Sequence, residues 1–189
     1  GGISDLYMIE LGSQQLRRLT NDKHAGLQPT WSPDGRTLAF ASDRGPETSF
    51  ERLTYSPMRL SLLDVGSGAV RVLDGFPNAK HINPQFTADG RDVYFDSDRG
   101  GFPDVYRLAL ETGEMFQVTR LATGVSGITH LSPAISVGRD GTLMFSAFLN
   151  SGEQIYALDA ASARGTPVTG PTEMAAGVLP PAETLRRST

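Results

Sequence analysis

Apolar residues in this chain come in short runs, each closed by a turn signal, and the runs return at a long period. The stretch from Pro29 to Gly45 reads Pro-Thr-Trp-Ser-Pro-Asp-Gly-Arg-Thr-Leu-Ala-Phe-Ala-Ser-Asp-Arg-Gly. It returns from Pro84 to Gly100, and a more divergent copy starts at Pro133. Each copy carries an Asp-Gly turn: Asp34-Gly35, Asp89-Gly90 and Asp140-Gly141. Aspartate suits the third position of a type I turn, and glycine takes the left-handed conformation after it, which makes a common hairpin connection. An apolar run follows each turn: Leu38-Ala39-Phe40, Val93-Tyr94-Phe95 and Leu143-Met144-Phe145. Alternation in these runs is imperfect, which predicts strands buried on both faces.

Two more strand-like runs lie between successive turn units. One surrounds Tyr7, Leu60, Tyr106 or Tyr156. The other is short and ends polar: Leu16–Thr20, Ala69–Leu73, Glu114–Thr119 and Thr166–Thr169. The sequence thus predicts four strands, A to D, per repeat of about fifty residues, the signature of propeller blades. A half repeat spans residues 1–20, and full repeats span about 28–73, 83–119 and 132–169. Residues 170–189, with Pro180-Pro181, read as an extended tail that is either disordered or laid along a partner.

The repeat, with its Pro-x-[Trp/Phe]-[Ser/Thr]-x-Asp-Gly-Arg core, its Ser-Asp-Arg-Gly end and a following Asp-x-Tyr, resembles that of TolB-type propellers. The same repeat occurs in dipeptidyl-peptidase-like and tricorn-like peptidases. The third copy departs, with Phe148-Leu149-Asn150 where Ser-Asp-Arg belongs. The resemblance implies an all-β fold of four-stranded antiparallel blades and an extracytoplasmic, periplasmic setting. It says less about activity, because propellers host unrelated functions.

Three and a half repeats cannot close a ring of four to eight blades, so an open array is expected. One blade face is about 300 Å². Left wet, a mostly apolar face forfeits roughly 7 kcal/mol at about 25 cal/mol per Å². That is comparable with the whole stability of a domain, about 5 to 15 kcal/mol. The flanks are therefore expected to be covered by further chain, by another copy or by a different protein.

Composition narrows the partners. The 189 residues carry a formal charge of −4 with no basic run, which argues against nucleic acid. Cysteine is absent, which removes disulfides and thiolate metal sites. No apolar stretch reaches the length of a membrane helix, and no charged start with an apolar core marks a signal peptide.

Two connections are enlarged. The Arg44–Pro57 link between strands B and C holds Phe50, Leu53 and Tyr55; it is either a tolerated insertion or a contact loop. The Arg120–Leu131 link between strands D and A holds Leu121, Val125 and Ile128. Both should emerge on one face of the disc. With Val178 and Leu179 of the tail, these residues are the candidate partner contacts.

The candidate chemistry is thin. Gly124-Val125-Ser126-Gly127-Ile128 misses the nucleophile-elbow pattern at Ile128 and reads as a loop. His24, His81 and His130 lack metal-ligand spacing and read as polar loop residues. Asp96-Ser97-Asp98 resembles the start of a calcium loop but lacks the later ligands; it reads as the end of strand B, with Arg99 pairing across to a neighbouring strand. Trp31, Tyr7, Tyr106 and Tyr156 read as inter-blade core.

No catalytic group, cofactor or metal is assigned. The expected function is a non-catalytic interaction or scaffold module, a subunit of a larger, membrane-peripheral assembly. The alternatives are the substrate-gating propeller of a dipeptidyl-peptidase-like or tricorn-like peptidase, and a small-ligand or carbohydrate binder.

Overall fold

The computed structural model describes residues 4–127, 132–149 and 151–169. All the described regular structure is β, apart from one 3-10 turn at Ser162–Arg164. The strands are β1 (Tyr7–Ile9), β2 (Leu16–Arg18), β3 (Gly26–Trp31), β4 (Thr37–Ser42), β5 (Arg59–Asp64), β6 (Val70–Val72), β7 (His81–Phe86), β8 (Asp92–Ser97), β9 (Asp104–Ala109), β10 (Met115–Gln117), β11 (Ile135–Val137), β12 (Leu143–Leu149), β13 (Gly152–Leu158) and β14 (Thr166–Pro167). Every pairing among them is antiparallel.

The hairpin turns form as their residues dictate. Gly35 N–H donates to Ser32 O at 2.9 Å, and Gly90 N–H donates to Thr87 O at 2.9 Å. Gly35, Gly90 and Gly141 all have φ between 69° and 84°, the left-handed region that only glycine enters cheaply. Asp34 accepts Arg36 N–H at 3.1 Å, and Asp89 accepts Arg91 N–H at 3.1 Å.

β1–β2 form a half blade and β3–β6 a complete first blade. The second blade, β7–β10, carries β14 as a fifth strand, while the third holds only β11–β13 among the described residues. This corrects one expectation. The sequence pattern assigns Thr166–Thr169 to strand D of the third repeat, but Phe116 pairs with Pro167 and Gln117 with Thr166. Two features account for the shift. Gly165 has no Cβ, and one placed there would sit 2.5 Å from Gln117 O, so glycine permits the close approach to β10. Val168 then packs against the core between the first and second blades.

Three apolar cores hold the array. Leu6, Leu38, Phe40 and Leu63 join the half blade to the first blade. Ala39, Leu60, Phe86, Phe95 and Tyr106 join the first to the second. Tyr94, Val105, Ile135, Leu143 and Phe145 join the second to the third. Central strands β4 and β8 are buried from their second residue to their last, so both faces are in use, as the imperfect alternation predicted.

Gly35 has open space where a Cβ would sit, so Gly35→Ala isolates the backbone cost. The expected loss is about 1 to 2 kcal/mol, read from urea denaturation midpoints. An unchanged midpoint would mean that the turn does not need the left-handed residue.

Candidate interaction surfaces

Because the blades repeat, each end of the array can be compared with its own interior. Trp31, Phe86 and Ile135 hold the same place on strand A. They are 45%, 8% and 3% exposed. Phe86 and Ile135 are covered by the blade before them; Trp31 faces a half blade without strands A and B. Tyr7 and Ile9 are exposed for the same reason, while their counterparts Tyr106 and Leu108 are buried. At the other end Met144 is 40% exposed, against 4% for Tyr94 and 0% for Ala39 at the same place on strand B. Phe148 and Ile155 extend this second wet flank. The expectation that Trp31 and Tyr7 are core is thus corrected: both point as core residues do, but toward an unoccupied side. Tyr106 is core, and Tyr156 stacks on Phe145 at 5.5 Å.

The enlarged B–C loop closes on itself through paired bonds between Ser49 and Thr54. Phe50 is half-buried, edge-on to His24 at 5.3 Å and to Tyr55 at 6.2 Å. Arg44 pairs with Asp22 beside them. The loop is therefore anchored on the short D–A connection before it, at Asp22 and His24. Leu53 is 72% exposed at the tip, with φ of 54°, a costly conformation for leucine. Tyr55 is exposed as well.

Other candidates serve the core. Val125 is buried and bridges to Ala147, and Leu121 packs beside it. Residues 121–126 lie against the second and third blades, which buries Val125 and partly buries Leu121. Ile128, His130, Val178 and Leu179 lie outside the described residues. Ser126 donates to the carboxylate of Glu153. Asp98 accepts Lys80 N–H at 2.9 Å, as Asp43 accepts Ala25 N–H at 2.9 Å. That is the structural role of the Ser-Asp-Arg end, with Arg99 lying over the Phe76 ring at 4.7 Å.

The inner rim holds residues that the sequence reading missed. Strands β3 and β7 each bulge just before a proline, at Gln28 and Asn83, both with positive φ. Asn83 N–H donates to Gln28 Oε1 at 2.9 Å, linking the bulges of adjacent blades. Asn83 Nδ2 donates to Asp96 Oδ2 at 3.0 Å, while Asp96 Oδ1 has no partner. Burial pushes Asp96 up to about 7, with the Asp104 charge acting the same way. Burial also pushes Asp104 up to about 6, although it accepts Thr119 Oγ1 at 2.8 Å. His81, expected in a loop, is instead buried at the start of β7. Its Nε2 accepts Phe76 N–H at 3.0 Å, and burial brings it down to about 4. A proline inside a strand marks an edge or a bulge, and that was the available signal.

These blades define the class: a β-propeller array, open at both ends among the described residues. No protein-family profile matches the chain. It is 30% identical over 149 residues to the Tol-Pal system protein TolB of Bordetella pertussis, covering 60% of this chain and 34% of that one. It is 29% identical over 107 residues to TolB of Nitratidesulfovibrio vulgaris, covering 55% and 21%. The chain thus spans about a third of one of these curated relatives and a fifth of the other. Among solved structures it resembles TolB from Acinetobacter baumannii, with a TM-score of 0.63 at 19% identity over 89% of this chain and 38% of that one. Puromycin hydrolase gives 0.60 at 22% identity, over 88% and 25%. The fold is that of a TolB-like β-propeller. No helix among the described residues is long and apolar enough to cross a membrane.

Two outcomes follow. Phe86→Ala should cost about 3 to 5 kcal/mol in the chain alone, and Trp31→Ala under about 1, by urea denaturation; equal losses would mean that the flank is not open. An unfolded aspartate titrates near 3.8. A pKa raised on folding stabilises fully below that value, and the contribution fades as pH climbs through about 7. Asp96→Asn should therefore gain on the parent between pH 4 and 7, by at most about 1.4 kcal/mol per pH unit, with His81 trending oppositely in both proteins. A constant gap between the two denaturation curves would exclude Asp96 as the titrating group.

Proposed function

We propose that the chain is a non-catalytic interaction module, the propeller portion of a larger extracytoplasmic protein assembly that covers both wet flanks. The observation that carries this reading is the contrast between repeats: positions buried at every internal blade interface are wet at the two ends. The exposed tip of Leu53 and Tyr55 adds a contact on the loop face. The curated relatives are named as Tol-Pal system proteins, which supports a protein partner and a periplasmic setting. The second reading, a substrate-gating propeller of a peptidase, is supported by the likeness in fold to puromycin hydrolase.

Trp31 is the single tryptophan of the chain and lies on the leading flank, so its emission reports cover directly. The expected emission is that of a wet indole in dilute isolated chain, moving to the blue when the flank is covered by association. Sedimentation as a monomer at all concentrations, with an indole already in an apolar environment, would overturn the reading. Hydrolysis of a dipeptide anilide by the product of the intact gene would favour the peptidase.

A further inference from the structure

We propose that the groove between the second and third blades is a carboxylate-binding site, suited to an acidic peptide segment or a small polycarboxylate. The groove measures about 480 Å³, within the range of roughly 300 to 1,000 Å³ for ligand sites. It opens beside the A–B turns, where Tyr94 and Val137 contribute to its wall. Four arginines line it, Arg91, Arg107, Arg139 and Arg164, against three aspartates. The surplus is cationic in a chain whose formal charge is −4.

The aspartates are already engaged. Asp92 pairs with Arg107. Asp89 Oδ1 accepts from Thr87 and Arg91 in its own turn, and both oxygens of Asp140 accept from Thr142. Arg107 is fixed: it donates to Arg164 O at 3.0 Å and lies over the Phe116 ring at 4.0 Å. Arg91, Arg139 and Arg164 are exposed, and none forms an ion pair among the described residues. Guanidinium forks facing a shared groove match carboxylates in bidentate geometry.

The molecule contains its own control. The corresponding groove between the first and second blades measures about 240 Å³ and has no arginine in its lining. Leu62 stands there, opposite Ala39, where the other groove has Arg107 opposite Tyr94. Arg107, Arg139 and Arg164 are therefore particular to this junction, while Arg91 belongs to the repeat and has its counterpart in Arg36.

The test is calorimetric titration of the chain with a blocked Asp-Glu hexapeptide, its Asn-Gln counterpart and citrate. Binding of the acidic peptide or of citrate is expected, weakening as salt rises, with no binding of the neutral peptide. Binding by the peptide alone identifies a protein segment as the source; binding by citrate alone identifies a small acid. Arg91→Ala with Arg139→Ala should weaken binding about tenfold or more. Both side chains are exposed, and an unchanged melting temperature confirms the fold. Arg36→Ala, the counterpart of Arg91 in the first blade, should change nothing. The proposal is overturned if neither acid binds, if binding survives the double substitution, or if Arg36→Ala weakens it equally.

Discussion

A blade of this molecule has two apolar faces and cannot dry either of them alone. Everything else in the structure depends on that. The central strands β4 and β8 place alternate residues in alternate cores: Phe40 packs toward the half blade while Ala39, next to it, packs toward the second blade. A single strand therefore belongs to two interfaces at once. The stability of any blade is then inseparable from that of its neighbours, as in other repeat architectures. A break in the array does not remove one contact; it wets a whole face.

This constraint explains what could and could not be read along the chain. The Asp-Gly turns, the runs after them and the strand order of the first two blades were legible because each is set locally, by turn chemistry and side-chain period. Trp31 is exposed for a reason that periodicity cannot supply. Its position in the repeat is a core position, but whether it is dry depends on a neighbour two strands short. Strand β14 pairs with β10 for a related reason. Thr166–Thr169 has the pattern of an outer strand, and an outer strand it is, but on another blade. Local pattern specifies that a strand seeks an edge, not which edge. His81 looked like a loop residue by its polarity, and burial against Phe76 and Phe95 was visible only in three dimensions.

The polar interior follows from the same geometry. The bulges of β3 and β7 meet across the blade junction, and the backbone N–H of Asn83 finds its acceptor outside its own blade. Gln28 of the preceding blade supplies it. Asp96 lies beneath, bonded to Asn83 and otherwise surrounded by protein. A carboxylate with one unpartnered oxygen in such a place is costly when charged, which is why burial moves it so far from its usual range. The inner rim is thus polar but closed, a join between blades.

Specialised chemistry in a repeat protein should then be sought where copies differ, since what all copies share is already spent on the fold. The Ser-Asp-Arg ends illustrate the shared part: Asp43 and Asp98 each hold a backbone N–H at the start of strand A, and the arginines stack on rings. The differences are few and localised. One B–C link is lengthened and lifts Leu53 into solvent on an anchored base. One junction replaces Leu62 and Ala39 by Arg107 and Tyr94, whose hydroxyl donates to Ala163 O at 3.1 Å and so fixes the strap that carries Arg164. The first change exposes apolar surface, and the second brings cationic side chains to a seam that has none at the preceding junction. Departures that recur in no other copy and leave apolar or cationic groups facing solvent are best explained by what they contact outside the fold.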